Sequence, residues 1–145
     1  MSKVRQHLTT VAATLLLVVT AAACGDRAGA SGVGSGEMQV DLDIHHSRFE
    51  PTSITVRAGT LVRFVVHNRD PIRHEVIVGP PDVQARHEGG HEATHPPVPG
   101  EVTVEPGATA VTTYHFHTLG DTEFACHLPG HYQYGMRGVV HVLPA

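Results

Sequence analysis

Apolar and polar positions alternate strictly through Met38-Gln39-Val40-Asp41-Leu42-Asp43-Ile44, the two-residue period that turns one face of a β-strand to a core and the other to water. Phe49-Glu50-Pro51 interrupts the pattern, and Ser53-Ile54-Thr55-Val56-Arg57 resumes it. Ala58-Gly59 turns the chain into Thr60–His67, the strongest strand signal in the sequence. A loop at Asn68-Arg69-Asp70-Pro71 leads to a short strand at His74–Val78. Residues 79–100 are rich in Pro, Gly and His and read as a long excursion. Strand patterns return at Glu101–Glu105, turn at Pro106-Gly107, and continue through Ala110–Thr118. Gly120-Asp121 turns into Thr122–Cys126, and Gly138–Leu143 is a last strand. Seven or eight short strands with regular turns, and no amphipathic helix of useful length, predict an all-β sandwich.

Composition agrees with that reading and adds a chemical pointer. Of 145 residues, fifteen are Gly and ten Pro, and only 5% are aromatic, so the core must be mostly aliphatic. Thirteen are His, an unusual number. Beyond residue 23 the chain holds eight Arg, no Lys and fourteen acids, a net charge of −6. A chain that acidic and without a basic stripe argues against a nucleic-acid partner.

The first 23 residues read as an export signal: Lys3 and Arg5, an apolar run from Val11 to Val19, then Thr20-Ala21-Ala22-Ala23 before Cys24. That run is shorter than the roughly 20 residues a membrane span needs. Ala21-Ala22-Ala23-Cys24 resembles a bacterial lipobox, with Ala21 where Leu is commoner, and the resemblance implies lipid on Cys24. The alternative is a secreted protein cleaved near the alanines. Residues 24–36 form a Gly/Ser-rich tether of roughly 20 Å, and 37–145 the folded domain. Cys24 and Cys126 are the only cysteines. With Cys24 lipidated, Cys126 is a lone thiol in an oxidising compartment, a liability unless a metal occupies it.

The informative segment is Cys126-His127-Leu128-Pro129-Gly130-His131-Tyr132-Gln133-Tyr134-Gly135-Met136. It offers a thiolate, an imidazole five residues on and a thioether five residues after that. Pro129-Gly130 bends the loop so that His131 faces back. One Cys, two His and a weak axial Met form the ligand set of a blue-copper site. This segment supplies three of the four, and His74, at the start of a strand, is the best candidate for the fourth.

Here the sequence strongly resembles the cupredoxin family of type 1 copper proteins such as plastocyanin, azurin and sulfocyanin. Phe49-x-Pro51-x-x-Ile54-Thr55-Val56-x-x-Gly59-x-x-Val62-x-Phe64 is similar to the family's early strands, and Cys126-x4-His131-x4-Met136 to its closing ligand loop. The resemblance implies a Greek-key two-sheet β-sandwich with one copper on His74, Cys126, His131 and, axially, Met136. It further implies outer-sphere electron transfer by the Cu(I)/Cu(II) couple, for which the edge around His131 and Leu128–Tyr134 is the expected point of electron exchange; Tyr132 and Tyr134 either flank that edge or serve as packing. Glu75 stands where plastocyanin and azurin usually carry an Asn that supports the Cys; Asn68 is a candidate substitute.

The remaining histidines suggest a second, weaker metal site drawn from His87, His91, His95, His115 and His117, with His45, His46 and His141 as further candidates; a solvated His-rich surface is the alternative. Neutral imidazole binds Cu(II) well. The expected function is therefore a type 1 electron carrier at the cell envelope, monomeric, lipid-anchored, and working with an unidentified redox protein. A copper-sequestering or copper-tolerance protein using the same site plus the His-rich loop is the runner-up. An enzyme is not expected: Ala125 stands where a multicopper oxidase's His-Cys-His motif needs a second His, and no orienting group completes a Cys–His hydrolase.

Overall fold

A computed structural model describes residues 36–89 and 98–145. The order is β1 (Glu37–Ile44), β2 (Phe49–Glu50), β3 (Ser53–Arg57), β4 (Thr60–Asn68), β5 (His74–Gly79), α1 (Pro81–Glu88), β6 (Glu101–Val104), β7 (Thr109–Phe116), β8 (Gly120–Ala125) and β9 (Arg137–Leu143). Two sheets form, ordered β2-β1-β4-β7 and β3-β9-β8-β5-β6. Pairing is parallel between β1 and β4 and between β3 and β9, and antiparallel elsewhere. This is the expected all-β sandwich. The expected export signal over residues 1–23, the expected lipidation site Cys24, the tether up to Ser35, and His91 and His95 lie outside the described residues.

The alternation read from the sequence becomes the division between core and surface. Val40, Leu42 and Ile44 of β1 meet Val62, Phe64 and Val66 of β4 on one inner face, and Ile54, Val56, Val76, Val78, Phe124, Val140 and Val142 line the other; all are buried. Each such side chain contributes roughly 1.5–3 kcal/mol on removal from water. Phe49 sets its edge against Phe124, with ring centroids 5.4 Å apart. Phe49-Glu50, expected as a break, is instead a two-residue strand paired to Asp43 and Ile44.

Gly120 and Asp121, expected as a turn, open β8. The larger departure is α1 inside the expected loop. Its periodicity is weak because its hold on the sandwich is polar. The buried Gln84 amide donates to the carbonyls of Ile77, Gly79 and Glu123, each at 3.1 Å. Pro81 opens the helix, where a missing N–H is harmless. Gly79 lets the helix close on β5: a Cβ there would sit 2.7 Å from Val83 Cβ.

Gly138 is required for a similar reason. It lies opposite Phe124 in the β8–β9 pairing, and the ring folds across it so closely that an added Cβ would overlap the ring. Gly138→Ala should therefore cost about 1–3 kcal/mol through overpacking, read as a lower urea midpoint with unchanged m-value.

Candidate metal centre

Sheet register delivers the site. β5 starts at His74, and β8 ends at Ala125, directly before Cys126. The β8–β9 pairing continues one step past the strands, where the Cys126 N–H donates to the Met136 carbonyl at 3.1 Å. The Cys126–Met136 loop is thus closed at its base like a hairpin. Within it the His131 N–H donates to Leu128 O at 2.9 Å, and Gly130 has φ 86°. Leu128-Pro129-Gly130-His131 is therefore a type II turn, with Pro and Gly at the positions that turn favours. A second glycine at positive φ, Gly135, and the Met136 N–H bonded to His131 O at 3.0 Å return the chain to β9.

Three of the four expected ligands come together. The ligand atoms of His74, Cys126 and His131 lie within 4.8 Å of one another, the one such group of three among the described residues. Cys126 Sγ is 3.2 Å from His131 Nδ1, and the His74 and His131 rings are 4.9 Å apart at their centroids. Met136, the fourth, is fully buried next to Cys126 through the backbone pairing. Cys126 is a free, buried thiol. His74 is equally buried, whereas His131 is partly exposed.

The histidine chemistry fits a metal. His74 Nε2 is 3.0 Å from Asp70 Oδ2, so Nε2 carries the proton and Nδ1 keeps its lone pair. That Nδ1 is buried and has no hydrogen-bond partner among the described residues, a costly arrangement unless a cation completes it. Burial holds His74 below the ordinary histidine value, with the Asp70 hydrogen bond opposing and His131 assisting. The ring is thus kept neutral, as a ligand must be. Burial pushes the Cys126 thiol up to about 11, against backbone N–H groups of Glu75 and Leu128 that favour the thiolate.

Asp70 is the residue that sequence reasoning missed. Its carboxylate accepts the N–H groups of His46 and Ser47, each at 2.7 Å, and faces His74. Burial works to raise its pKa, but the Ser47, His46 and His74 hydrogen bonds hold it below the usual carboxylate value. The only signal in the sequence is an acid four residues before a ligand histidine, weak by itself. Asn68 does not support Cys126. Sitting at the end of β4 in the other sheet, its amide donates to the carbonyls of Ile72, Val104 and Glu105, and its oxygen accepts the Asp70 N–H. Glu75 ties β5 to the ligand loop: its carboxylate accepts the His127 N–H at 2.9 Å, and its own N–H favours the Cys126 thiolate while its negative charge opposes it.

The other candidate histidines separate. His87 is nearly buried beside Glu101, at 3.2 Å, and faces the His127 ring. His127 in turn stacks on Tyr132 and holds Gln84 Oε1 at 2.7 Å. His115 and His117 lie on β7 and just beyond it, with ring centroids 3.8 Å apart. His87 is therefore not assembled with them into one site. Of the tyrosines at the loop, Tyr132 donates to Glu123 and lies under Arg137, while Tyr134 is 84% exposed.

Residues 36–143 match the family of copper binding proteins of the plastocyanin/azurin type, and the chain belongs to that family. It is a copper-binding cupredoxin. Among curated relatives it is 40% identical over 99 residues to the copper-resistant cuproprotein CopI of Rubrivivax gelatinosus, covering 66% of this chain and 59% of that one. It is 32% identical over 128 residues to the protein of the same name from Pseudomonas aeruginosa, covering 66% of this chain and 71% of that one. The chain thus spans little more than half the length of the Rubrivivax protein. Among solved structures, dithionite-reduced auracyanin from Roseiflexus castenholzii superposes with a TM-score of 0.63 at 20% identity, covering 78% of this chain and all of that one. Auracyanin B gives 0.61 at 21% identity, covering 82% and 93%. Both share the fold.

Two consequences follow from the ligand environment. Asp70→Ala should weaken copper binding about 10–100-fold, with Asp70→Asn intermediate, measured by competition against a chelator of known affinity. Because the metal-free Cys126 thiol is protonated at neutral pH, copper uptake should release about one proton per ion, and apparent affinity should rise about tenfold per pH unit near neutrality. Calorimetry in buffers of different ionisation enthalpy reads the proton directly.

Proposed function

We propose that this chain is a copper-tolerance protein of the cell envelope that binds copper in a type 1 site and retains it. The observation that carries this reading is the preformed His74–Cys126–His131 triad, with His74 and Cys126 buried, His131 at the surface edge, and His74 Nδ1 without a hydrogen-bond partner among the described residues. The copper-resistant relatives support the role. His74 and His131 would hold the ion through imidazole nitrogen, Cys126 through its thiolate and Met136 through its thioether. A soft thiolate with a thioether behind it favours copper over zinc.

The protein's own part is to hold these groups still. Asp70 fixes the tautomer and direction of His74, the type II turn fixes His131, and Glu75 ties β5 to the loop. Bound copper supplies a one-electron Cu(I)/Cu(II) couple. A second reading, an electron carrier, is favoured by exposure: His131 is the one ligand of the four that is not buried, so the Leu128–Tyr134 edge is the natural place for a redox protein to dock. In either role the chain acts without catalysing a reaction of its own. It works as a monomer, exported and lipid-anchored through Cys24; among the described residues no helix is long and apolar enough to cross a membrane.

A strain lacking this protein should grow normally at low copper and fail at raised copper. Wild-type protein should restore growth, and Cys126→Ser should not. Normal growth of the deletion strain at raised copper, with loss of a respiratory or photosynthetic activity at low copper, would overturn tolerance in favour of the carrier.

A further inference from the structure

Two histidines outside the ligand set sit together at the far end of the sandwich. His115 is opposite Leu61 on β4, next to the β3–β4 turn, whereas His74 is joined through Asp70 to Asn68 at the other end of β4 and gathers there with Cys126 and His131. Over the nine residues of β4 this places the two positions on the order of 20 Å apart. β7 is an edge strand. Phe116 turns inward and is buried, so its neighbours His115 and His117 both face out and are exposed.

Their rings are already gathered, with centroids 3.8 Å apart and planes at 45°. His115 Nε2 lies 3.0 Å from the Gly59 carbonyl oxygen. A carbonyl only accepts, so Nε2 carries the proton and Nδ1 offers its lone pair. This is the same arrangement that Asp70 imposes on His74, and it orients a metal-binding imidazole before any metal arrives.

The other histidine pairs lack one of these features. His45 and His46 also have rings 3.8 Å apart, but among the described residues no carbonyl or carboxylate orients either ring. His87 and His127 are 5.9 Å apart and engaged with Glu101 and Gln84. His67 and His141 each face an aspartate.

We propose that His115 and His117 form a second copper site, a two-nitrogen chelate for Cu(II) completed by water. Two imidazoles without a thiolate suit Cu(II) over Cu(I), and among the common divalent ions the order of affinities puts Cu(II) first. The net negative chain favours any cation. At this distance the site adds copper-binding capacity without altering the type 1 ligands, and it stands whichever role the type 1 centre serves.

The test uses the full chain already carrying one equivalent of copper. A second equivalent of Cu(II) is added and followed by paramagnetic resonance and visible absorption. The expected result is a new tetragonal signal with hyperfine structure from two nitrogens and an unchanged type 1 band. His115→Ala and His117→Ala should each lose the new signal, while the double variant His45→Ala/His46→Ala should keep it. Absence of a second signal, its persistence in His117→Ala, or its loss in the His45/His46 variant would overturn the proposal. Cys126→Ser, which removes the first site's thiolate, should retain the two-nitrogen signal, so failure of one site is read separately from failure of the other.

Discussion

The Asp70 carboxylate ties the two sheets together, linking the β1–β2 turn and the end of β4 in one to the start of β5 in the other. One oxygen accepts the His46 N–H; the other accepts the Ser47 N–H and faces His74 Nε2. His46 and Ser47 both have φ near 53°, in the tight β1–β2 turn where Asn-Gly would be the comfortable pair. Their two N–H groups converge on one anion, and that anion orients a buried ligand ring. The Asn68 amide closes the knot from the other side, accepting the Asp70 N–H and gathering the carbonyls of Ile72, Val104 and Glu105. The hairpin turn, the end of β4 and the start of β5 therefore move as one unit. Without it His74 would begin β5 with neither its direction nor its tautomer defined.

Around this knot the site sets burial against charge. Burial makes the Cys126 thiol reluctant to ionise and keeps His74 neutral. A neutral histidine is what a metal needs, but a protonated thiol is not. The backbone N–H groups of Glu75 and Leu128 ease the thiolate without neutralising it, leaving room for a soft cation to supply the rest. The same low-polarity surroundings limit water and leave His131 as the one ligand near the surface.

Much of this was legible from local pattern. The two-residue alternation in β1, β3 and β4 predicted which side chains enter the core, because a strand surface admits only that period. Spacing in the Cys126–Met136 loop was equally informative, since Pro129-Gly130 specifies a turn that any surroundings would leave intact. Helix α1 was not legible. Its anchor is one buried glutamine bonded to carbonyls from two strands, and a hydrogen bond across sequence-distant elements leaves no periodic trace. Asn68, a candidate support for Cys126, is turned elsewhere for the same reason: it ends a strand in the opposite sheet, and Glu75, beside the ligand, ties β5 to the loop instead.

By itself, then, the sequence determined the strand periods, the aliphatic core and the Cys126–His131–Met136 spacing of the candidate ligand loop, because these are set by residues near one another along the chain. Tertiary structure decided which histidines meet. It turned His87 onto His127 and Glu101, gathered His115 with His117 beside the Gly59 carbonyl, and set Asp70 behind His74. Ligand direction and tautomer depend on hydrogen bonds to groups brought from other strands, and only the folded register of the two sheets puts those groups within reach.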